Sequence, residues 1–196
     1  MSSVAPALSV DRASARERVL AASYDLFARR GIRDVSIDEI LAISGVAKAT
    51  LYRHFPSKDD LVLAFLERRE RLWTYGVVEA GALARTTDPE GRLLAIFDVF
   101  DEWFRRDDFE ACSFINVLLE MGIEHPVGRA SNAYLANIRA LVAKLATAAN
   151  LRDPDEFARS WHILMKGSIV QASEGDQDAA KRAQKMAATL IAEYRR

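Results

Sequence analysis

The chain has 196 residues, half of them hydrophobic, and a formal net charge of −1, so its bulk charge does not indicate a nucleic-acid or membrane-surface partner. Its length suits a small domain joined to a larger one, and its apolar content is sufficient for a sizeable core. A single cysteine excludes an internal disulfide framework and a cysteine metal cluster, which suits the reducing cytoplasm. The N-terminus does not have the pattern of a signal peptide, and no run of about eighteen apolar residues occurs. We therefore expect a cytoplasmic protein with no membrane segment.

The N-terminal residues 1–12 are rich in Ser, Ala and Pro, which predicts a disordered arm. This arm either has no role or reaches the minor groove of DNA through Arg12 or Arg16. A first helix is predicted from about Ser14 to Arg30, because its apolar residues form one stripe. Gly31 suits the position that follows a helix.

Two short helices joined by a tight turn are predicted within Val35–Lys58. Ser36 occupies an N-cap position and Glu39 lies three residues further on, which is the pattern of a capping box. Gly45 supplies the backbone freedom for a sharp corner. The second helix, Ala47–Phe55, ends before a proline, and the whole arrangement is a helix-turn-helix. The second helix of such a motif lies in the major groove of DNA.

The charge pattern of this motif favours DNA as its partner. Residues 12–58 contain nine Lys or Arg and five Asp or Glu, a net +4, whereas residues 59–196 have a net charge of −4. From Ile40 to Lys58 there is no Asp or Glu, so this surface does not repel phosphates. Leu51 and Phe55 are expected to anchor the second helix on its domain. The residues expected to contact DNA are Ser36, Lys48, Thr50, Tyr52, His54 and Lys58.

The segment from Gly45 to Leu61, GVAKATLYRHFPSKDDL, resembles the hallmark segment of TetR-family transcriptional regulators. The upstream segment Ala21–Gly31 resembles that family's first helix and its glycine stop. The resemblance implies a helix-turn-helix DNA-binding domain over residues 13–57 and a helical effector-binding and dimerisation domain over residues 58–196. Ala47 is a departure, since many members have Ser or Thr at this N-cap, and the loss of a cap costs about 1 kcal/mol.

The rest of the chain is predicted to be helical, because no segment shows the sustained two-residue alternation of a strand. Helix four is predicted to begin at Ser57 or Lys58 and to end at about Ala84. Breaks at Pro, Gly, Asp or Asn then separate five more helices. Four are predicted over about Pro89–Arg106, Phe109–Met121, Val127–Ala149 and Pro154–Ser173, and the fifth runs from the turn Glu174–Asp176 to the C-terminus. The fold class is therefore all-α, with about nine helices.

Large apolar side chains are concentrated on helices four to eight. They form either an ordinary core or the lining of a cavity between helices, and the TetR resemblance implies that such a cavity holds an effector. The effector is therefore expected to be a small apolar or aromatic molecule. The candidate pocket residues are Trp73, Phe97, Phe100, Trp103, Phe104, Phe114, Leu118, Met121, Tyr134, Ile138, Trp161 and Met165.

Three polar residues, Asn116, Glu120 and Tyr134, are candidates for orienting such a ligand. The Glu120 carboxylate is interpreted either as the acceptor of a cationic ligand or as a solvated charge at a helix end. Cys112 is interpreted either as a redox sensor or as a small buried residue. The three histidines share no metal-ligand spacing, so neither a metal site nor a cofactor is predicted.

The last two helices combine small and apolar residues on one side. They either pack within the chain or pair with their copies in a second chain as a four-helix bundle, and the resemblance implies a homodimer. The candidate interface residues are Gly167, Ile169, Val170, Ala183, Met186, Leu190 and Ile191.

These observations together predict a ligand-responsive transcriptional regulator, most simply a repressor, that binds a roughly palindromic operator as a homodimer. One alternative is a helical ligand-binding adaptor whose DNA domain is vestigial. A second is a small all-α enzyme, although the sequence contains no nucleophile–base motif, phosphate loop or ligand cluster.

Overall fold

Nine helices form the part of the chain that this computed structural model describes, residues 14–196. The all-α class and the number of helices predicted from the sequence are confirmed, and none of these described helices is both long and apolar enough to cross a bilayer. The predicted arm, residues 1–12, lies outside the described residues. The helices are α1 (Ala15–Arg30), α2 (Ile37–Ser44), α3 (Lys48–His54), α4 (residues 58–85), α5 (Pro89–Phe104), α6 (Ser113–Met121), α7 (Pro126–Ala148), α8 (Pro154–Ser173) and α9 (Ala179–Tyr194).

Helix α4 begins inside the apolar core that α1, α2 and α3 form. A complete capping box between Ser57 and Asp60 fixes its first turn. Phe65, one turn further on, is fully buried, and its ring meets those of Tyr24 and Phe27 of α1 edge-on, with centroids 5.3 and 5.6 Å apart. The first half of α4 is therefore a fourth element of the N-terminal core.

The middle of α4, Glu70–Glu79, is π-helical. In a π-helix the N–H of one residue bonds to the carbonyl five residues earlier, so that side chains four or five apart share a face. This spacing gathers four side chains on one face, which the body covers: Arg69, Trp73, Thr74 and Val78.

Helix α6 begins at Ser113, later than the predicted start at Phe109. Ala111 has φ 60°, a left-handed conformation that an α-helix cannot contain. The chain between α5 and α6 therefore forms turns and an irregular segment in place of helix. Phe109 therefore leaves the helix and packs on Trp103 of α5, with ring centroids 4.8 Å apart. The same loop brings Glu110 against α4.

The body is held together by the aromatic stripe of α5. Phe97 and Phe100 are 1% and 2% exposed, and the Phe97 ring lies 5.3 Å from that of Trp161 on α8. Helices α7, α8 and α9 pack around this stripe and bury the apolar faces that the sequence periodicity predicts.

Candidate functional site

The predicted helix-turn-helix is present as α2 and α3, which meet at Gly45. This glycine has φ 63° and ψ 24°, a left-handed conformation that residues with a Cβ rarely adopt. The Ser36 hydroxyl caps α2 by accepting a hydrogen bond from the Glu39 N–H at 3.1 Å. The predicted capping box is only half formed, because the Glu39 carboxylate pairs with the Arg30 guanidinium instead. That ion pair ties α2 to the end of α1.

Helix α3 uses one side for anchoring and leaves the other to solvent. Leu51 and Phe55 are 0% and 3% exposed, which confirms their predicted anchoring role. Lys48 forms an ion pair with Asp38 at 3.4 Å, but both side chains are more than 60% exposed, so the pair contributes little and leaves Lys48 available to a phosphate. Of the six predicted DNA-contacting residues, Ser36, Lys48, Tyr52 and His54 are exposed, and Thr50 and Lys58 are half-buried.

Arg16 of α1 lies beside the end of α3. Its guanidinium carbon is 5.2 Å from the centroid of the Phe55 ring, and its side chain remains 44% exposed. A cation is therefore held at the edge of the surface that carries the predicted DNA contacts.

The N-terminus of α3 has no side-chain cap, because Ala47 occupies the N-cap position. We expect Ala47→Ser to raise the free energy of unfolding by about 1 kcal/mol, since a serine hydroxyl there accepts from a backbone N–H of the first turn. Urea denaturation at fixed protein concentration measures this change. Ala49→Ser, inside the same helix, is the matched control and should be neutral or slightly destabilising. Equal or lower stability of Ala47→Ser would contradict the cap assignment.

An apolar cavity lies between the π-helical segment of α4 and the body. The space between the lining atoms, including the open mouth, is about 590 Å³. Only about 30 Å³ of this space can hold the centre of a water molecule, so the cavity is narrow. Six of the twelve candidate pocket residues line it: Trp73, Phe100, Trp103, Phe114, Ile138 and Met165.

The other six candidate pocket residues lie elsewhere. Phe97, Phe104 and Trp161 are buried in the body core. Leu118, Met121 and Tyr134 pack against the N-terminal core, and the Tyr134 ring stacks on that of Phe114 with centroids 5.3 Å apart. Asn116 lines a separate cleft between α1 and α6.

The cavity also has polar lining residues that are not among the predicted pocket residues: Arg69, Thr74, Cys112, His162 and Lys166. Of these, Arg69 could have been identified from the sequence, because it lies four residues from both Phe65 and Trp73 and so places a charge within an apolar helix face. The position of Thr74 depends on the π-helical register of α4, and that of the other three depends on how the start of α6 and α8 pack, which no local pattern specifies.

Arg69 links the cavity to both halves of the molecule. Its Nη1 donates to the Tyr24 hydroxyl of α1 at 3.1 Å and to Glu110 Oε1 at 2.6 Å. Its guanidinium also lies over the Trp73 ring, 5.0 Å from the centroid. Burial alone lowers the pKa of Arg69, but Tyr24 and Glu110 raise it above its ordinary value, so the group stays charged.

The Cys112 thiol lines the cavity, and burial raises its pKa above the ordinary value, against the smaller lowering effect of Arg69 and Lys166. A redox-sensing cysteine needs the opposite, a low pKa and exposure. Cys112 is half-buried, and its raised pKa favours the interpretation as a small packing residue over that as a redox sensor. Burial also lowers the pKa of Lys166, and the nearby charge of Arg139 lowers it further.

His162 is 4% exposed, and burial together with the charges of Lys166 and Arg139 lowers its pKa from 6.5 to about 3. Between these values the unfolded chain binds a proton that the folded chain excludes, so stability falls as the pH falls. We expect a loss of about 2 kcal/mol between pH 7 and pH 5 from this histidine. Urea denaturation across this pH range should show a shallower acid slope in His162→Gln. An unchanged slope would contradict the neutral, buried state.

Glu120, at the end of α6, does not line the cavity. Its carboxylate accepts hydrogen bonds from the backbone N–H groups of Ile32, at 2.8 Å, and Arg33, just after α1. Gly31 makes room for it, since a Cβ there would come within 2.9 Å of Glu120 Oε2. The sequence suggests that Glu120 is either a pocket carboxylate or a solvated charge at a helix end, and the structure shows neither. The residue fastens the body to the DNA-binding half.

The candidate interface residues of α8 and α9 divide into two sets. Ile169, Ala183 and Ile191 are buried within the chain, whereas Gly167, Val170 and Met186 are exposed and Leu190 is half-buried. Ile163, which is 70% exposed, extends the exposed set by one turn of α8. Within residues 14–196 no group of three or more potential ligands could hold a metal ion.

Comparison with known proteins finds sequence similarity to bacterial transcriptional regulators in the N-terminal part of the chain. The sequence profile of the bacterial regulatory proteins of the tetR family matches residues 19–65. The transcriptional activator FasR of Mycolicibacterium smegmatis is 38% identical over 92 residues, and the transcriptional repressor Rv3405c of Mycobacterium tuberculosis is 39% identical over 80 residues. These matches cover 47% and 39% of this chain, and only 41% and 43% of the relatives' own lengths.

The similarity to solved structures extends over the whole fold. SCO4454, a TetR-family transcriptional regulator from Streptomyces coelicolor, superposes with a TM-score of 0.84 at 28% identity, covering 93% of this chain and 96% of that one. A TetR-type regulator from Streptomyces avermitilis superposes with a TM-score of 0.80 at 26% identity, covering 93% and 98%.

Proposed function

Because the chain belongs to the TetR family of bacterial regulatory proteins and is a DNA-binding transcriptional regulator rather than an enzyme, we propose that it is a ligand-responsive repressor. In this proposal a homodimer binds a roughly palindromic operator in the cytoplasm, where the DNA lies. A small apolar effector enters the cavity and releases the operator. Residues 13–57 bind the DNA, and residues 58–196 bind the effector and form the dimer.

One observation supports the ligand response above all others: α4 belongs to both halves of the molecule. Phe65 packs in the core of the DNA-binding half, and Trp73 and Thr74 line the cavity two turns further on. A ligand that widens the cavity must therefore displace α4, and with it the anchor of α1 to α3. Such coupling amounts to about 1–3 kcal/mol, or roughly 5–150-fold in operator affinity.

The surface of α2 and α3 supports the proposed roles in DNA binding. Exposed Tyr52 and half-buried Thr50 offer hydroxyl donors to phosphates, and Lys48 and Lys58 add positive charge. Ser36 adds an exposed hydroxyl at the start of α2. Specificity then depends on short contacts, from Lys48 and Thr50 and from apolar groups to thymine methyls.

The exposed apolar stripe on α8 and α9 supports the proposed dimer. Ile163, Gly167 and Val170 follow one another on the outer face of α8, and Met186 and Leu190 do so on α9. Packing this stripe against its copy removes it from water and forms a four-helix bundle. A twofold axis there would set the two α3 helices about 34–36 Å apart, one turn of DNA.

Operator binding is tested by selecting DNA from a random library with the purified protein and measuring affinity by fluorescence anisotropy over a range of salt concentrations. We expect the double variant Thr50→Ala, Tyr52→Ala to bind the selected sequence about 10–100-fold more weakly, because two hydroxyl contacts to phosphate are lost. The double variant Thr147→Ala, Tyr75→Ala is the matched control, since both residues are exposed but lie far from α3.

Two outcomes would redirect the proposal. If no sequence competes better than random DNA at physiological salt, the chain is a ligand-binding adaptor with a vestigial DNA domain. If the selected operator placed before a reporter gene raises transcription when the protein is present, the protein is an activator. The names of the two relatives above include one activator and one repressor, so only such a reporter measurement decides the sign of regulation.

A further inference from the structure

The apolar cavity contains hydrogen-bond donors but no acid. Of the eighteen described residues that line it, none is Asp or Glu, whereas Arg69 and Lys166 are cationic and Thr74 carries a hydroxyl. An acid-free lining with two cations does not suit a cationic ligand. It suits an acceptor, and an anionic acceptor best.

Two of these donors are buried without a partner. Arg69 is 4% exposed, and its Nη2 has no hydrogen-bond partner among residues 14–196. Thr74 is 2% exposed, and its hydroxyl is likewise unpaired within the described chain. Buried donors are nearly always satisfied in folded proteins, because leaving one without an acceptor costs its full desolvation. Thr74 lies on the cavity face of the π-helical segment and Arg69 immediately precedes that segment on the same face, so a ligand can supply the missing acceptor.

A second cation faces the same region from α8. Lys166 pairs with no carboxylate in the described part of the chain, although it is half-buried. Arg69, Lys166 and Cys112 all line the cavity, and the charges of both cations act on the Cys112 thiol, so both lie near it. Arg139 on α7 adds a third positive charge near Lys166. Glu110 balances Arg69, so a net positive charge remains beside the cavity.

We propose that the effector is an amphipathic anion, a small aromatic or alkyl compound with one carboxylate, whose oxygens bind Arg69 Nη2, the Thr74 hydroxyl and Lys166. This inference deepens the proposed function and rests on it. The body of the ligand lies among Phe100, Trp103, Ile138 and Met165. A cavity that holds benzene has a volume of about 150 Å³, whereas only about 30 Å³ of this cavity is open to the centre of a water molecule, so some of these side chains move when the ligand binds.

The position of Arg69 also connects such an anion to the DNA-binding half. The same guanidinium that offers Nη2 to the ligand uses Nη1 to hold the Tyr24 hydroxyl of α1 and the Glu110 carboxylate. A ligand oxyanion competes with Glu110 for this guanidinium. Movement of Arg69 toward the ligand therefore weakens its contact with Tyr24.

The test compares charged and uncharged forms of the same compounds. Arylalkyl carboxylates from benzoate to 4-phenylbutanoate, each beside its primary amide, are titrated into the full-length protein by calorimetry and into its complex with the selected operator by anisotropy. We expect at least one carboxylate to bind roughly tenfold or more tightly than its amide and to release the operator.

Two variants locate the charge. Lys166→Met should weaken carboxylate binding by roughly tenfold and leave amide binding unchanged, whereas Lys144→Met, an exposed lysine of α7, should change neither. Thr74→Val, which keeps the shape of the side chain, should weaken the carboxylate by a smaller factor. Neither change removes a partner of the Arg69 guanidinium, whose partners are Tyr24, Glu110 and Trp73, so the proposal stays testable even if Arg69 variants fail to fold.

The outcomes separate this inference from the proposed function. If amides bind and release the operator as well as their carboxylates, or if no carboxylate in the series binds, the anion site is refuted while operator binding stands. If the protein binds no selected sequence in the absence of any compound, the proposed function fails, whatever the carboxylates do in calorimetry.

Discussion

Replacement of Glu110 by alanine is expected to lower the free energy of unfolding by about 3 kcal/mol. The substitution leaves the Arg69 guanidinium, whose side chain is 5% exposed, without its carboxylate at 2.6 Å. Breaking a buried ion pair from one side costs about 3–5 kcal/mol, because the remaining charge is desolvated and uncompensated. The lower end applies here, since the Glu110 side chain is itself 17% exposed. Urea denaturation at one fixed protein concentration measures the change.

Two comparisons make this prediction specific. Glu102→Ala breaks an ion pair with Arg85 in which the glutamate is 72% exposed, and it should cost no more than about 1 kcal/mol. Removing both partners, with Arg69→Met and Glu110→Ala, should recover most of the stability, since no buried charge remains. If Glu110→Ala costs no more than Glu102→Ala, the Arg69 pair does not hold α4, the loop before α6 and α1 together as described.

Phe65→Ala is expected to cost about 3–5 kcal/mol, the usual range for a fully buried phenylalanine. The cavity it leaves lies between α4 and the rings of Tyr24 and Phe27, so the loss falls on the DNA-binding half. Leu63→Ala, two residues earlier on the same helix and 36% exposed, is the matched control and should cost about 1 kcal/mol or less.

Hydrogen exchange locates the effect of Phe65→Ala. Amides of α1, α2 and α3 should exchange faster in the variant, whereas those of α8 and α9 should change less, because the substitution touches only the N-terminal core. A uniform acceleration across all helices, or a stability loss equal to that of Leu63→Ala, would mean that Phe65 does not anchor the DNA-binding half to α4.

The helices and the DNA-binding motif are predictable from the sequence because their determinants are local. The Gly45 corner, the anchoring pair Leu51 and Phe55, and the uncapped Ala47 are each specified by spacing within a few residues, and each is found as expected. The half-formed capping box is the exception, since Glu39 had a distant competitor in Arg30. Local patterns do not reveal such competition.

The cavity is predictable only in part, because its lining depends on packing between helices. Periodicity identifies Phe97 and Phe100 as apolar residues on one side of α5, but only Phe100 turns to the cavity, whereas Phe97 meets Trp161 in the core. The same limit applies at α8 and α9, where Ile169 is buried and Val170 exposed. The π-helical register of α4, which brings Thr74 beside Trp73, has no sequence signature that would reveal it.

The bonds from Glu120 to the amides of Ile32 and Arg33 give the molecule a second mechanical connection besides α4. Helix α6 has nine residues and is about 13 Å long, short enough to act as a stiff rod. Phe114, at one end of this rod, touches the cavity, and Glu120, at the other end, holds the DNA-binding half. In the proposed ligand response, a displacement at the cavity would therefore reach that half along α6 as well as along α4. The loss of either route would then reduce the transmitted movement without abolishing it.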